Sequence, residues 1–484
     1  MNIKTSSENI LNQNTQTIVL GVFDKEEQSC NNLMLIDNAL ENSITKFIIN
    51  DDFKPKFLSS FNIPTFGKIS AKNILLIGLG KEEEFSIEKL REVSMEIAKK
   101  IKKSKNITIS LPINRTNELA EVQAITEGLI LGSYKFDKYK SEKEENLIET
   151  ITICVEENTE DVILASKKGE IFANATNYAR NLSNEPAQVA TPTKLAELAQ
   201  NIPNIECKIL EAQECEEMGM GAFLAVGKGS SQPPKFIHMS YKCGNPSQKI
   251  ALIGKGITFD SGGYDIKPAS SMINMKDDMS GAAAILGIMN AVAELKPNIE
   301  VHGIIAACEN MVSGKSYKPG DILTAMNGKT IEVDNTDAEG RLTLADALCY
   351  AENLNVDKII DVATLTGACL VALGHFASGI MGNNNELIEE IQECAQKVGE
   401  NYWQLPLWDE HMDSLKSDIA DMKNTGSRYG GASVAAAFLN NFVKDTKWAH
   451  LDVAATAFLE KPYKGFSKGG TGVSVRTLLE LVTK

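Results

Sequence analysis

Short runs of apolar and β-branched residues alternate with longer amphipathic stretches in the first third of the chain. The short runs favour strands, and the stretches between them have the periodicity of helices. The predicted strands are 17–23, 73–77, 107–111 and 150–155, and the predicted helices are 88–103 and 121–131. This alternation predicts an α/β domain with a parallel or mixed sheet.

A long helical pattern over residues 162–182 stops before Pro186, and beyond it Gly becomes frequent and uncharged runs lengthen. We therefore predict two α/β domains, a smaller amino-terminal one over 1–165 and a larger carboxy-terminal one over 166–484. The larger domain begins with the connecting helix and has a central mixed sheet flanked by helices. Its predicted elements are strands 250–253, 301–307 and 358–362 and helices 193–201 and 281–295.

The charge balance narrows the choice of partners. Lys and Arg number 49 and Asp and Glu number 64, which gives a net charge of −15. Such a surface repels nucleic acid and anionic membranes, so we expect neither as a partner. The longest charge-free run, 362–385, contains four Gly, and the polar start of the chain lacks an apolar stretch. We therefore expect no membrane span, no secretory signal and a cytoplasmic location.

Familiar site motifs are missing from the sequence. The nine Cys are widely spaced without a C-x-x-C pair, which favours reduced thiols over disulfides or a thiolate zinc site. Five His are too few for a His-rich metal site, and no phosphate-binding loop, G-x-G-x-x-G or H-E-x-x-H occurs. One G-x-S-x-G match, 465–469, follows Lys-Pro-Tyr-Lys and predicts a surface loop instead of a nucleophile elbow.

Two segments concentrate acidic and basic residues beside glycines. The first leaves the strand predicted at 250–253 and carries Lys255 and Asp260 on what we expect to be a glycine-rich loop. Lys267 follows in the same segment, and Asp278 precedes the apolar helix. The second segment is 335–342, with the sequence N-T-D-A-E-G-R-L. If it is extended, Asp337, Glu339 and Arg341 alternate and point to the same side.

Four carboxylates that converge repel one another unless a cation lies between them. Asp260, Asp278, Asp337 and Glu339 offer the oxygen ligands that divalent ions prefer. Two ions about 3.5–4 Å apart, bridged by shared carboxylates, would satisfy all four acids. A network of helix caps and salt bridges, such as Asp260 with Lys267, stays an alternative for any single residue. The complete set, flanked twice by Gly, favours a two-metal site.

Both segments resemble those of the leucyl aminopeptidase (cytosol aminopeptidase) family. The likeness rests on N-T-D-A-E-G-R-L at 335–342, on G-K-G-I-T-F-D-S-G-G at 254–263, and on the spacing between them. It covers nearly all of 180–484, whereas residues 1–165 match only in general character. The resemblance implies a metallo-exopeptidase, a hydrolase that releases amino-terminal, preferably leucine-like residues from peptides. It also implies a cytoplasmic homohexamer with a role in peptide turnover.

The resemblance also implies the ligands of two divalent ions, zinc or manganese, in each subunit. Asp260 and Glu339 would bridge the ions, and Asp337 would complete the looser site. Lys255 and Asp278 would complete the tighter site, for which Lys255 must be neutral. A salt bridge between Lys255 and Asp260 is the alternative role for that lysine.

Catalytic and substrate-binding residues are implied in the same way. Lys267 would polarise the scissile carbonyl, and Arg341 would hold a bicarbonate ion that acts as general base while metal-activated water attacks. A mostly apolar pocket would take the substrate side chain, with Leu365 adding a backbone contact, although each pocket residue is equally compatible with core packing. The implied substrate-binding residues are Met275, Thr364, Leu365, Ala454 and Ala457.

Some positions depart from the commonest family pattern, which leaves the preferred ion open. These positions are Tyr264, Asp265, Asp277, Val312 and Asp334. Two other functions stay as alternatives. A two-metal phosphoesterase usually recruits more His, and none of the five lies in either acidic segment. A non-enzymatic scaffold that binds DNA is disfavoured by the net charge of −15.

Overall fold

The computed structural model describes residues 1–25, 30–50, 52–113 and 117–484. These residues divide into two compact units, the first formed by 1–174 and 462–467 and the second by 175–461 and 468–484. Both units combine a mixed sheet with flanking helices, so the predicted two-domain α/β fold class is confirmed.

The first unit contains a six-stranded sheet. Its strands are β1 Asn2–Ser6, β2 Thr17–Phe23, β3 Ser60–Pro64, β4 Asn73–Gly80, β5 Asn106–Ser110 and β6 Thr150–Cys154. The helices that begin in this unit are α1 Asn31–Ala39, α2 Ser43–Ile49, α3 Ile87–Lys100, α4 Glu118–Ser133 and α5 Glu160–Asn184. The strand order is β1-β6-β5-β2-β4-β3, and only β3 runs antiparallel to its neighbour.

The centre of this sheet is buried on both faces. Strand β2 is buried at every position, as expected of a central parallel strand that helices cover on each side. Apolar residues of α3 and α4 pack against one face, and those of α1 and α2 pack against the other. The predicted strand 17–23 is confirmed, whereas edge strand β1 was not predicted because its residues are mostly polar.

The second unit is built on an eight-stranded sheet and two small ones. Its strands are β7 Glu206–Leu210, β8 Lys235–Tyr241, β9 Lys249–Asp260, β10 Glu300–Asn310, β11 Ile322–Thr324, β12 Thr330–Glu332, β13 Lys358–Ala363, β14 Ser378–Gly382, β15 Tyr402–Gln404, β16 Met422–Lys423, β17 Lys447–Asp452, β18 Phe458–Leu459 and β19 Gly469–Gly470. Its helices after α5 are α6 Pro192–Gln200, α7 Ala212–Glu217, α8 Gly221–Gly227, α9 Ala269–Met272, α10 Ser280–Leu295, α11 Gly340–Glu352, α12 Gly367–Leu373, α13 Asn385–Val398, α14 Asp409–Asp413, α15 Gly431–Asn440 and α16 Val475–Val482.

The large sheet places four parallel strands at its centre. Its order is β15-β14-β17-β13-β9-β10-β8-β7, and β17, β13, β9 and β10 run parallel. Helices α8, α11 and α15 contribute to the apolar core on one face, and α10 packs on the other. The carboxyl ends of the parallel strands therefore meet at one edge of the sheet, where such folds place their ligands.

Two glycines let α10 approach the sheet. A Cβ on Gly281 would lie 2.1 Å from the carbonyl oxygen of Val362, and a Cβ on Gly254 would lie 2.6 Å from the backbone of Gly281. Both distances are far below van der Waals contact, so only Gly fits at either position. The close approach holds the amino-terminal end of α10, and with it Asp278, against β9.

Several features of the sequence have simple structural outcomes. No helix in the described ranges combines the length and the hydropathy that crossing a membrane requires. All nine Cys carry free thiols. Tyr463 and Phe466 close a turn that overlaps the start of the G-x-S-x-G match at 465–469. The match therefore lacks the preceding strand and following helix of a nucleophile elbow. Helix α5 ends at Asn184, just before Pro186.

A buried carboxylate on α11 ties three segments of the second unit together. Asp346 accepts hydrogen bonds from the backbone N–H groups of Phe223 and Met326, each at 2.8 Å. Burial raises the pKa of Asp346 to about 7, although these backbone donors oppose the shift. The carboxylate thus links α11 to α8 and to the turn between β11 and β12.

We predict that Asp346→Ala lowers the free energy of unfolding by about 2–4 kcal/mol, because two buried N–H groups lose their acceptor. Urea denaturation followed by circular dichroism measures the change. Asp346→Asn keeps one acceptor oxygen, so its free energy of unfolding should lie between those of the unmodified protein and the Ala variant. An unaltered unfolding midpoint in the Ala variant would contradict the assigned role.

Candidate metal centre

A cavity of about 970 Å³ opens at the carboxyl ends of the central strands. Strand β9 brings Lys255 and Asp260 to it, and the loop after β13 brings Thr364 and Leu365. All seven residues predicted as metal ligands or catalytic groups line this cavity. They are Lys255, Asp260, Lys267, Asp278, Asp337, Glu339 and Arg341.

Lys255 lies at the buried end of the cluster. Its Nζ is 2.7 Å from Asp278 Oδ1 and 3.0 Å from Glu339 Oε1, and it donates to the carbonyl oxygen of Thr364 at 3.0 Å. Burial alone lowers the pKa of Lys255, but the surrounding carboxylates raise it by a larger amount, so the net shift is upward. The ammonium group therefore lies between two carboxylates that are 61 residues apart in sequence, Asp278 and Glu339, and offsets part of their negative charge.

Lys267 lies at the more open end of the cluster. Its Nζ is 2.8 Å from Asp260 Oδ2 and 2.6 Å from Asp337 Oδ1. Burial again lowers the pKa, and Asp260 and Glu339 raise it by more. The ion pair between Asp260 and Lys267, which the sequence left as an alternative for a single residue, is therefore present. The four acids also converge, as the two-metal interpretation requires.

The path of β9 differs from the sequence-based prediction. We expected residues after 253 to form a glycine-rich loop, and this is wrong, because β9 continues to Asp260. In a regular strand, residues 255 and 260 would face opposite sides of the sheet. Ile257 pairs with Cys308 and Phe259 with Glu309, so Thr258 is an extra residue that forms a bulge. The bulge reverses the alternation and turns Lys255 and Asp260 to the same side.

The second acidic segment also differs from its prediction. The condition that 337–341 is extended is not met, since this segment forms a turn followed by the start of α11. Glu339 has helical backbone angles and immediately precedes the helix, and Arg341 lies in its first turn. One ligand atom each of Asp260, Asp337 and Glu339 nevertheless lies within 4.8 Å of the other two.

Asn310, at the end of β10, fixes the two acidic segments relative to each other. Its Nδ2 donates to Asp260 Oδ1 at 2.9 Å and to the carbonyl oxygen of Thr336 at 3.0 Å. The N–H of Gly262 donates to the same Asp260 oxygen at 2.8 Å. Asn310 was not predicted from the sequence, although the adjacency of β9 and β10 would have placed the ends of these two strands together.

Asp265, one of the departures from the family pattern, has a defined contact. Its Oδ2 accepts from the backbone N–H of Thr336 at 2.8 Å and from the Thr336 hydroxyl at 3.0 Å. The neighbouring Tyr264 hydroxyl donates to the carbonyl oxygen of Ser313 at 3.0 Å. Asp265 thus anchors the residue before Asp337 and contributes order to the second acidic segment.

Arg341 is buried between the cluster and a loop that follows β16. Its Nη1 donates to the carbonyl oxygen of Asn424 at 2.8 Å, and its Nε–H has no hydrogen-bond partner among the described residues. Burial lowers the pKa of Arg341 to about 10, while Glu339 and Asp452 oppose the shift. An unpartnered buried donor beside the cavity suits an anionic ligand. Asn424 is a second residue that the sequence-based analysis did not predict.

The oxygen atoms of the cluster are incompletely satisfied. Asp278 Oδ2 and Glu339 Oε2 are buried and have no hydrogen-bond partner among the residues that the structure describes. Burial raises the pKa of Asp278, Asp337 and Glu339. Four carboxylates against two ammonium groups leave the cluster with a net negative charge when all six groups are ionised. Divalent cations are the ligands that such an oxygen-rich, net negative site fits.

The predicted substrate-binding residues divide into two groups. Met275, Thr364, Leu365 and Ala454 line the cavity, and the Thr364 hydroxyl donates to Asp278 Oδ1 at 2.8 Å. Ala457 is buried behind this wall, where its N–H donates to the carbonyl oxygen of Val453 at 2.8 Å. It is not among the described residues that line the cavity, so its contact with substrate stays a prediction.

Comparison with known proteins decides the family. A model of the cytosol aminopeptidase family catalytic domain matches residues 177–479, and the model of the same family's N-terminal domain matches residues 19–143. The chain belongs to the cytosol aminopeptidase family. Membership makes it an aminopeptidase, a hydrolase of peptide bonds, and disfavours the phosphoesterase and scaffold alternatives.

Relatives of the aminopeptidase match it along its whole length. A probable cytosol aminopeptidase from Aquifex aeolicus is 44% identical, with 100% of this chain and 98% of the relative covered. One from Picosynechococcus is 46% identical, and both chains are fully covered. Among solved structures, a tomato leucine aminopeptidase mutant has a TM-score of 0.91 and 36% identity, covering 100% of this chain and 96% of that one.

A second solved structure is similar to the aminopeptidase and contains metal. It is a bottromycin maturation enzyme in complex with Mn, with a TM-score of 0.85 and 29% identity. The match covers 97% of this chain and 99% of that one. The fold around the acidic cluster is therefore shared with a protein that holds manganese.

We predict that Asp265→Ala weakens the affinity of the aminopeptidase for Mn²⁺ or Zn²⁺ by about tenfold or more, because groups that support metal ligands typically contribute that much. Competition with a fluorescent chelator measures the affinity. Asp265→Asn keeps an acceptor for Thr336 and should retain most of it. Tyr264→Phe, which removes only the contact with Ser313, is the control. Equal affinities in the Ala variant and the unmodified protein would refute the role.

Proposed function

We propose that this chain is a two-metal aminopeptidase that releases leucine-like residues from the amino termini of peptides. The observation that carries the proposal is the convergence of four carboxylates around two lysines, with Asp278 Oδ2 and Glu339 Oε2 buried and unsatisfied in the described structure. Family membership supplies the reaction class, and the acidic cluster supplies the reason for metal.

The proposed ligands follow the geometry of the two lysines. Asp278 and Glu339, grouped around Lys255, would hold one ion together with the deprotonated Lys255 Nζ. Asp260 and Asp337, grouped around Lys267, would contribute to the second. Asp260 and Glu339 would contribute to both groups, since one ligand atom of each lies within 4.8 Å of the other. Because the pKa of Lys255 is raised by its carboxylate neighbours, metal binding must release its proton.

When bound, two divalent ions would supply a water molecule of lowered pKa next to the substrate carbonyl. Lys267 would donate a hydrogen bond to the carbonyl oxygen as negative charge develops on it. Burial lowers the pKa of Lys267, but the charges of Asp260 and Glu339 raise it by more, which favours the protonated form that this hydrogen bond needs. Arg341 would orient a bicarbonate ion through its unpartnered Nε–H, and that ion would serve as general base.

The side-chain pocket supports a preference for medium-sized apolar residues. Met275, Leu365 and Ala454 present apolar surface to the cavity, and Thr364 is held by its bond to Asp278. Small Ala454 leaves room where a larger residue would fill the space. A leucine side chain gains from the burial of its apolar surface in such a pocket.

Three further proposals rest on the family resemblance. They are zinc or manganese as the native metal, a homohexameric assembly, and a cytoplasmic location. Mass photometry of the purified protein tests the second of these, since a hexamer has six times the mass of the 52.7 kDa chain. A stable monomer at micromolar concentration would refute it.

Hydrolysis of leucine p-nitroanilide tests the reaction. We expect activity in the presence of Mn²⁺ or Zn²⁺, loss of activity with a chelator, and recovery when metal is added back. The free chromophore is followed by absorbance. Folded protein that is inactive with every metal tested would refute the proposed function.

Replacing a bridging carboxylate tests the ligand assignment. We expect Glu339→Ala to lower kcat/KM about a thousandfold, since loss of a metal ligand removes several kcal/mol of transition-state stabilisation. The circular dichroism spectrum should stay unchanged. Glu352→Gln, at the other end of α11, is the matched control and should keep normal turnover. Near-normal activity of Glu339→Ala would show that the site is elsewhere.

A further inference from the structure

A fully buried carboxylate, Asp452, is neither a proposed metal ligand nor a catalytic group, and it is not among the described residues that line the cavity. Asp452, the last residue of β17, is 0% exposed. Its Oδ2 accepts from the Thr366 hydroxyl at 2.6 Å, and its Oδ1 accepts from the backbone N–H of Leu365 at 3.3 Å and of Ala454 at 3.2 Å. One rigidly held side chain therefore binds two separate loops.

Both of these loops contribute to the cavity wall. Leu365 belongs to the loop after β13 and Ala454 to the turn after β17, and both residues line the cavity. In the sheet, Asp452 pairs with Ala363 of β13, and the next strand along is β9, which carries Lys255. Along the strands, Asp452 therefore lies at about the same height as Lys255 of the acidic cluster. The loops that contain Leu365 and Ala454 contribute to the cavity wall, whereas Asp452 is not among the described residues that line it.

The strand that carries Asp452 is held in place by buried polar contacts. Burial raises the pKa of Asp452, and His450 on the same strand opposes that shift. The His450 ring is held by its Nδ1, which lies 2.6 Å from Asp361 Oδ1, while Trp448 Nε1 donates to Asp361 Oδ2 at 2.8 Å. These contacts fix the strand that carries Asp452, so the carboxylate is a fixed point to which the loops attach.

Local structure alone does not require the bonds that Asp452 makes. The Thr366 hydroxyl already caps α12 by accepting from the backbone N–H of Cys369 at 3.1 Å. That cap needs only Thr366 and is the usual role of Thr before a helix. The contacts with Asp452 add a connection between the loop and the turn after β17, which a capped helix does not need.

The geometry points to Asp452 as a positioning residue that sets the spacing between Leu365 and Ala454, and thereby the selectivity of the pocket for the size of the substrate's amino-terminal side chain. The inference rests on the proposed function, since it assigns these two residues to the side-chain pocket. It adds a residue that never touches substrate and acts through the two loops.

Steady-state kinetics of Asp452→Asn with leucine and alanine p-nitroanilides test the inference. We expect KM for the leucine substrate to rise about tenfold and the leucine-to-alanine ratio of kcat/KM to fall by a similar factor, the range that one pocket contact typically controls. We expect kcat to stay within about threefold, because the groups around the reacting carbonyl are retained. A parallel loss for both substrates, or an unchanged ratio, would overturn the inference.

Two sets of variants separate positioning from general destabilisation. Asp346→Asn changes an equally buried carboxylate that binds backbone N–H groups away from the cavity, and it should leave the selectivity ratio unchanged. Thr366→Ser keeps the hydroxyl and should retain selectivity, whereas Thr366→Val should reduce it. Selectivity lost equally in Asp346→Asn, or retained in Thr366→Val, would contradict the assigned role.

Amide hydrogen exchange gives a readout that does not depend on activity. The backbone N–H groups of Leu365 and Ala454 should exchange faster in Asp452→Asn, and faster still in Asp452→Ala if that variant folds. Unchanged exchange in Asp452→Asn would overturn the inference even if the enzyme is active. If the unmodified protein is inactive with every metal, the proposed function fails, and exchange still decides whether Asp452 holds the loops.

Discussion

Mutual repulsion among buried carboxylates is the constraint on which this structure depends. Asp260, Asp278, Asp337 and Glu339 converge in a cavity where burial already disfavours their charge, and two lysine ammonium groups lie between them. Such a cluster persists only when the surrounding fold over-determines it. Three contacts supply that rigidity. They are the close approach of β9 and α10 at their glycines, the hydrogen bonds of Asn310, and the contact of Asp265 with Thr336.

The sequence predicted the content of the site better than its geometry. The seven polar residues were found because they lie in two short segments of unusual composition and family-like spacing. Their supports were not found, since Asn310 and Asn424 contact partners 50 and 83 residues away, and one sequence does not contain the pairing of distant segments. The α/β class was predictable from local periodicity, whereas the polar edge strand β1 forms only because β6 lies beside it.

Two departures from the local interpretation of the sequence share one physical origin. Gly254 and Gly256 suggested a flexible loop, but Gly254 lies within a long strand because a helix backbone passes close to it. The alternation of Asp337 and Glu339 would place both carboxylates on one side of an extended chain, but that segment turns into α11 and brings them together by another route. In each case a residue choice made for tertiary contact was interpreted as a local preference.

The bulge at Thr258 restricts how the sequence of this strand can evolve. Lys255 and Asp260 share one side of the sheet only because a single surplus residue separates their alternating positions. Losing or gaining one residue between them would turn one of the two away from the cavity, with every side chain otherwise intact. Substitutions in this stretch can accumulate gradually, but the number of residues between Lys255 and Asp260 decides whether the two side chains face the same side of the sheet. Insertions and deletions there are therefore far more restricted than changes of residue type.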